Sequence, residues 1–279
     1  MTFSIVARSA DGESWGVAVA SKFLAVGNAV PAAVAGIGAV ATQANANTAY
    51  KGLALAHLDE GATAPVALDH LLVEDPDRDH RQVGIVDMDG VAASHTGPAC
   101  HDWAGGIVGD GYAIQGNILT GPEVVEAMEQ AWAASDPGAP LADRLLAALR
   151  AGDDAGGDRR GRQSAALLVV RDGAGYGGHD DVAVDLRVDD HATPIPELAR
   201  LLELNDLFLT ATVEEDKIPV TEELDAEITA LVRALGHDDL LEWAGTENYE
   251  MRVAPTGSWI DRRVLAILRA SGPTTGADQ

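Results

Sequence analysis

The sequence holds one cysteine, Cys100, among 279 residues, so neither an intrachain disulfide nor a cysteine-built metal site can form. A reducing cytoplasm is the simplest setting for such a chain. Lysine is nearly as scarce, with only Lys22, Lys51 and Lys217. Basic residues number 19 against 44 acidic ones, a formal charge of −25. Such a surface repels phosphate backbones and anionic bilayers, so neither nucleic acid nor a membrane is an expected partner. Few lysines with many acids fit a high-GC genome or a salt-adapted cytosol alike. No stretch approaches the roughly 18 uninterrupted apolar residues of a membrane span. The first residues lack a basic segment followed by a long apolar run, so no secretory signal is expected. Walker-type Gly-Lys-Ser and His-Glu-x-x-His are both missing.

Hydrophobic residues make up 47% of the chain, enough for a substantial core. Phe3, Ile5 and Ala7 alternate with Thr2, Ser4 and Val6, and Asp11-Gly12 supplies a turn into Trp15–Ser21. That pair reads as a hairpin. Val26–Val34 and Gly38–Gln43 read as two further strands. Helices follow over Asn47–Glu60 and from Thr63 to Glu74, the first stopped by Gly61 and the second opened by Pro65. Gln82–Asp87 and Val91–His95 form a second hairpin, and short strand-like pieces surround Ile107 and Tyr112. Pro122–Ala134 and Leu141–Arg150 are helical, the Gly- and Asp-rich 151–161 stretch is a surface loop, and Ser164–Val170 and Val182–Val188 return to strands. Blocks of strands and helices in that order predict a layered α+β domain rather than alternating βαβ units.

The composition shifts near Glu203, beyond which 16 acidic face 6 basic residues. The expected organisation is a main domain over 1–203, a small helical module over 204–272 and a frayed tail over 273–279. Candidate helices in the module are Glu222–Leu235, Asp238–Trp243 and Ile260–Arg269.

Position 2 carries the most suggestive chemistry. Loss of the initiator Met would leave Thr2 at the N-terminus, combining a hydroxyl nucleophile with its own α-amine as base. An α-amine titrates at roughly 7.7–8.0, so about a tenth to a sixth of it is neutral at pH 7, far more than of a lysine. The plain alternative is an ordinary processed terminus. Cys100-His101-Asp102 suggests a thiol nucleophile, but triad partners normally come from distant segments. His179-Asp-Asp181 and Asp189-Asp-His191 suggest metal ligands, yet adjacent residues on a strand end point to opposite faces, and a solvated acidic loop is the preferred reading.

Seven segments occur in order: Met1-Thr-Phe-Ser-Ile-Val-Ala-Arg8, Gly16-Val-Ala-Val-Ala-Ser-Lys-Phe23, Ala39-Val-Ala-Thr-Gln-Ala44, His95-Thr-Gly97, Asp102-Trp-Ala-Gly105, Tyr112-Ala-Ile-Gln-Gly-Asn117 and Gly156-Gly-Asp-Arg-Arg-Gly-Arg-Gln-Ser-Ala-Ala166. Together they resemble the DUF1028 family, named for its unknown function, over roughly residues 2–200. Members of that family resemble N-terminal nucleophile (Ntn) hydrolases, so the resemblance implies a four-layer αββα sandwich. It also maps Thr2 onto the nucleophile position. Ser21-Lys22 ends the strand paired with the first, where the Lys22 charge would lower the pKa of the Thr2 amine. The alternative for Lys22 is a surface lysine. Asn117 would donate to an oxyanion, or else cap the helix near Pro122 or occupy a turn. Asp158 and Arg159 would form an ion pair orienting the site, or a charged loop face.

The expected activity is metal-free and cofactor-free hydrolysis of an amide or ureido bond in a small metabolite, through an acyl-enzyme on Thr2. A proteasome-like peptidase and a non-catalytic binding scaffold are the alternatives. Trp243–Arg252 and Trp259–Leu265 resemble a C-terminal segment labelled peptidoglycan-binding in some DUF1028 proteins. That label implies a peptidoglycan fragment as partner, against which stands the absence of an export signal. Domain docking or homodimerisation is the preferred role.

Overall fold

Strand β1 (Thr2–Arg8) presents Phe3, Ile5 and Ala7 to one face and Thr2, Ser4 and Val6 to the other, as a period of two requires. Both faces are buried, so β1 lies inside the molecule. The computed structural model describes residues 2–271. After β1 come β2 (Ser14–Ser21), α1 (Val26–Ala29), β3 (Pro31–Val34), β4 (Gly38–Ala44), α2 (Ala49–Asp59) and α3 (Ala64–Glu74). The chain continues through β5 (Arg81–Asp87), β6 (Ala92–Thr96), β7 (Gly105–Gly109), β8 (Tyr112–Asn117), α4 (Glu123–Ala134) and α5 (Leu141–Asp154). Then follow β9 (Ser164–Arg171), β10 (Val182–Val188) and α6 (Pro194–Leu209).

Two antiparallel sheets result, ordered β10-β9-β2-β1-β8-β7 and β3-β4-β5-β6. Three cores hold them. On one face of the six-stranded sheet, Phe3, Ile5, Ile114 and Leu167 bury against Met128 and Trp132 of α4 and Leu145 and Leu149 of α5. Its other face, with Val6, Val17, Val19 and Val170, packs against Ala39, Ala41 and Val86 of the four-stranded sheet. The far face of that second sheet, with Val40, Val83 and Ile85, takes Tyr50, Ala54 and Leu58 of α2 and Leu68 and Leu71 of α3.

Two of the expected elements in this part are corrected. Val26–Val34 is not one strand: Ala25 turns left-handed (φ 54°) and the Ser164 hydroxyl accepts the Val26 N–H, closing one helical turn before β3. The 151–161 loop begins later than expected, because α5 runs on to Asp154. Gly152, inside the stretch expected to be a loop, is a packing glycine within α5. A Cβ there would stand 2.7 Å from Met128 Cγ. Helix α6, for which the sequence shows no clear pattern, crosses the composition change near Glu203.

By its internal contacts the chain divides into two units, between Leu202 and Glu203. The second contains β11 (Lys217–Pro219), α7 (Glu222–Ala234), α8 (Leu240–Thr246), β12 (Trp259–Asp261) and α9 (Arg262–Ser271). It is not purely helical, as was expected. β11 and β12 pair antiparallel, Ile218 opposite Ile260, through strands of three residues that are too short to show a period. The stretch expected to open the last helix therefore begins as β12. Trp243, Tyr249, Ile260 and Leu265 form the core of this unit. Beside it, buried Asp261 accepts from Arg252 at 3.1 Å and from Thr212 at 2.9 Å. The tail expected to fray lies outside the described residues. No helix among the described residues is long and apolar enough to cross a membrane.

Candidate functional site

The register of the six-stranded sheet places four polar residues in one row. Ser164 of β9 lies opposite Ser21 of β2, and Thr2 of β1 lies opposite Asn117 of β8. Phe3 pairs with Ala20, so the same antiparallel register sets Thr2 beside Ser21. The hydroxyl groups of Thr2 and Ser21 are 3.1 Å apart. Paired residues share a face, and this row faces the second sheet. There Gln43, Gln82 and Thr96 form a matching row across β4, β5 and β6.

The two rows are joined by carboxamides. Gln43 Nε2 donates to the Thr2 carbonyl at 3.3 Å, to the Gln115 carbonyl at 3.2 Å and to Gln82 Oε1 at 2.8 Å. Asn117 Nδ2 donates to Gln82 Oε1 at 2.9 Å. Gln82 Nε2 donates to the Gly116 carbonyl at 2.7 Å, to Thr96 Oγ1 at 2.9 Å and to the Gly105 carbonyl at 3.3 Å. One row further in, Ser4 donates to Gln43 Oε1 at 2.7 Å and accepts from Gln115 Nε2 at 2.6 Å. Gln115 lies over Gly84, where any Cβ would overlap its carboxamide. Its Oε1 is buried and finds no donor among the described residues.

Backbone strain gathers at the same end. Ala44, directly after Gln43, has φ 68°, and Ile118, directly after Asn117, has φ 51°. A β-branched residue in the left-handed region is costly, and such costs, about 1–3 kcal/mol each, concentrate at functional sites. Backbone bonds hold Ile118 there: its N–H donates to the His101 carbonyl at 2.9 Å, and its carbonyl accepts from Arg159 at 3.4 Å.

The expected site residues thus take different places. Thr2, Ser21 and Asn117 come together on one face. Asp158 is buried, and its carboxylate accepts from the backbone N–H groups of Lys22 (2.7 Å) and Arg160 (2.8 Å) and from the Arg160 guanidinium (3.3 Å). It fastens the end of β2 to the segment before β9, and its ion pair is with Arg160 rather than the expected Arg159. The Lys22 side chain is exposed and its ammonium donates to the Arg162 carbonyl at 3.3 Å; no hydrogen bond joins it to Thr2 among the described residues. Ser164 donates to the Phe23 carbonyl and accepts from Val26, pinning the Lys22–Ala25 turn, which leaves Phe23 and Leu24 exposed.

Gln43, Gln82, Ser4 and Gln115 were not singled out as site residues by residue reading, although Gln43 and Gln115 stand inside the quoted motifs. The available signal was a glutamine at an inward position of an otherwise apolar alternation, as in Ala39-Val-Ala-Thr-Gln-Ala44. Cys100 is unsuited to nucleophilic work: burial pushes its thiol pKa up, and Sγ donates to the Arg81 carbonyl at 3.4 Å. Asp180, Asp181 and Asp190 accept from Val182, Gly173 and Gln163, holding their own loops. Among the described residues no three His, Cys, Asp or Glu side chains gather as a metal cluster would.

A mixed α/β architecture of stacked antiparallel sheets, with a polar row at one end of the layer between them, is the class these observations define. The chain belongs to DUF1028, described as a family of unknown function, whose profile matches residues 2–198. It is similar to the crystal structure of a DUF1028 protein from Silicibacter pomeroyi, at 33% identity over 74% of this chain and 89% of that one, with a TM-score of 0.66. Anbu, an ancestral beta-subunit from Yersinia bercovieri, matches 72% of this chain and 93% of its own at 10% identity. Its TM-score of 0.34 is too low to carry an argument. No curated protein matches the sequence.

Proposed function

We propose that the protein is an N-terminal nucleophile hydrolase that cleaves an amide or ureido C–N bond of a small molecule through an acyl-enzyme on Thr2. One observation carries the reading. Thr2 stands in register with Ser21 and Asn117 at the polar end of the layer between the sheets, its hydroxyl 3.1 Å from that of Ser21. The succession of helix pair, sheet, sheet and helix pair agrees with the αββα sandwich of that class.

While Met1 is attached, the Thr2 nitrogen is an amide and cannot act as a base. Its removal creates an amine that takes the proton from Oγ1 as Oγ1 attacks the substrate carbonyl carbon. The carbonyl oxygen becomes an oxyanion, to which Asn117 donates its second amide hydrogen, the first being committed to Gln82. The C–N bond then breaks, the departing nitrogen takes the proton from the ammonium, and an ester on Oγ1 remains. Water, deprotonated by the same amine, releases the acid and restores Thr2. Ser21 orients the nucleophile, Asp158 holds the Ser21-Lys22 strand end, and Lys22 acts through its charge.

Intact mass of the purified protein tests the first condition, since retained Met1 ends the reading. Acylation by a β-lactone that stops when Thr2 becomes alanine tests the second. A non-catalytic scaffold is the rival, favoured by the burial of Thr2 and Asn117, at 6% and 2% exposure. On that reading Met1-free protein takes no label at Thr2.

A further inference from the structure

The two ends of a carboxamide have nearly the same shape, so the sense of a carboxamide chain is set by neighbours that can only accept. Here those neighbours are backbone carbonyls. One end of Gln82 lies 2.7 Å from the Gly116 oxygen and 3.3 Å from the Gly105 oxygen, and must be the nitrogen. Its other end is therefore oxygen, and Gln43 and Asn117, 2.8 Å and 2.9 Å away, must both turn N–H toward it. Gln43 confirms the sense independently, because its nitrogen also meets the Thr2 and Gln115 carbonyls. Its oxygen then takes the single Ser4 hydrogen, Ser4 accepts from Gln115, and the Gln115 oxygen is left buried without a donor.

An interior that only had to be filled would be better served by aliphatic residues, because a partly satisfied polar network is worse than none. Valines do fill the same layer a few residues away. What the network accomplishes is directional. We propose that Gln82 is a positioning residue for Thr2 and Asn117: its Oε1 fixes which end of Asn117 is the donor. Through Gln43 it also fixes the main-chain carbonyl of Thr2. This inference rests on the Thr2 reading above.

Two substitutions at Gln82 separate shape from hydrogen-bond direction. Gln82→Met keeps length and loses both polar ends. Gln82→Glu keeps the shape. Protonated, it donates to the Gly116 carbonyl and still offers an oxygen to Asn117. Ionised, it sets a negative oxygen against two carbonyls, and the chain breaks. Loss of reactivity in Gln82→Glu therefore grows as pH rises, in a range that burial moves above the ordinary carboxylate value.

The test uses full-length, Met1-free protein, a β-lactone as probe, and melting curves for each variant. Thr2 Oγ1 attacks the lactone carbonyl carbon, an ester forms, and the ring C–O bond breaks. The ring oxygen leaves as an alkoxide and takes the proton withdrawn from Oγ1. Gln82→Met is expected to melt cooperatively, with the maximal acylation rate reduced about tenfold to a hundredfold and probe affinity little changed. The ratio of Gln82→Glu to wild-type rate is expected to fall steadily from acid to alkaline pH. Folded variants that acylate at the wild-type rate at every pH overturn the proposal. Should neither variant fold, side-chain amide exchange in the wild type decides: the Gln43 and Asn117 amide hydrogens must be protected, and fast exchange overturns it. Wild-type protein that takes no label at Thr2 overturns the Thr2 reading first, and this inference with it.

Discussion

The layer between the two sheets has two unlike ends. At one, Trp15, Val17, Val19, Val86 and Val170 meet as an ordinary apolar core. At the other, a few residues along the same strands, Thr2, Ser4, Ser21, Gln115 and Asn117 face Gln43, Gln82 and Thr96 through a chain of hydrogen bonds. The antiparallel pairing is the same at both ends; the polar end differs in its side chains and in the left-handed turns at Ala44 and Ile118. Apolar packing is non-directional and tolerant, so it serves stability. Carboxamides impose donors and acceptors at set places, which is worth its cost where a reacting group must be held.

Each end of the layer fails in its own way. The largest effect belongs to Thr2→Ala, which should lower β-lactone acylation by several orders of magnitude, as loss of other nucleophiles does. Its stability in urea melting should fall by only about 1–3 kcal/mol, the cost of removing a buried hydroxyl that meets Ser21. At the apolar end, Trp15→Ala should cost about 3–5 kcal/mol in urea melting, since it empties a large volume. It also removes the indole bond to the Asp87 carbonyl at 3.1 Å. Acylation of the protein that remains folded should not change. Gly84→Ala strikes the boundary between the ends by pushing on Gln115, and overpacking there should cost about 1–3 kcal/mol.

A smaller, pH-dependent effect sharpens the comparison. Asp75 is buried, and the Arg81 guanidinium at 2.8 Å, the Tyr50 hydroxyl at 2.8 Å and the Asp77 N–H at 2.8 Å hold its carboxyl well below the usual carboxylate range. Arg81 also donates to the Asn45 carbonyl, in the loop that leaves Gln43. A carboxyl depressed on folding contributes stability above its unfolded value, about 3.9, and that stability is lost as pH falls toward the folded value. Stability measured by urea melting should therefore decline on the acid side, and Asp75→Asn should flatten that decline.

Much of the fold was legible because alternation and turn residues are local signals. Phe3, Ile5 and Ala7 mark one face of β1 without help from any other segment, and Met88-Asp89-Gly90 marks a hairpin. The misreadings fall where a distant partner decided. Gly152 stands in a stretch that reads as a loop until Met128 is packed against it, and Val26–Ala29 looks like a strand until Ser164 takes its N–H. The second unit hid its strands because three residues show no period.

At the site, the sequence supplied the residue types: a threonine at position 2, Ser21-Lys22 at a strand end, Asn117 after Gln115. It did not supply Gln82, an ordinary polar residue at the start of a strand. Nor did it tell that Asp158 would hold the Lys22 backbone while the Lys22 ammonium turned to Arg162. By itself the sequence determined which strands alternate, where the chain turns and which family it resembles, since these are written within a few residues of one another. Only the tertiary structure decided that Thr2, Gln43, Gln82 and Asn117 share one network, and in which sense its hydrogen bonds run. That sense depends on carbonyls of Gly105 and Gly116, which reach Gln82 only when the sheets are stacked in register.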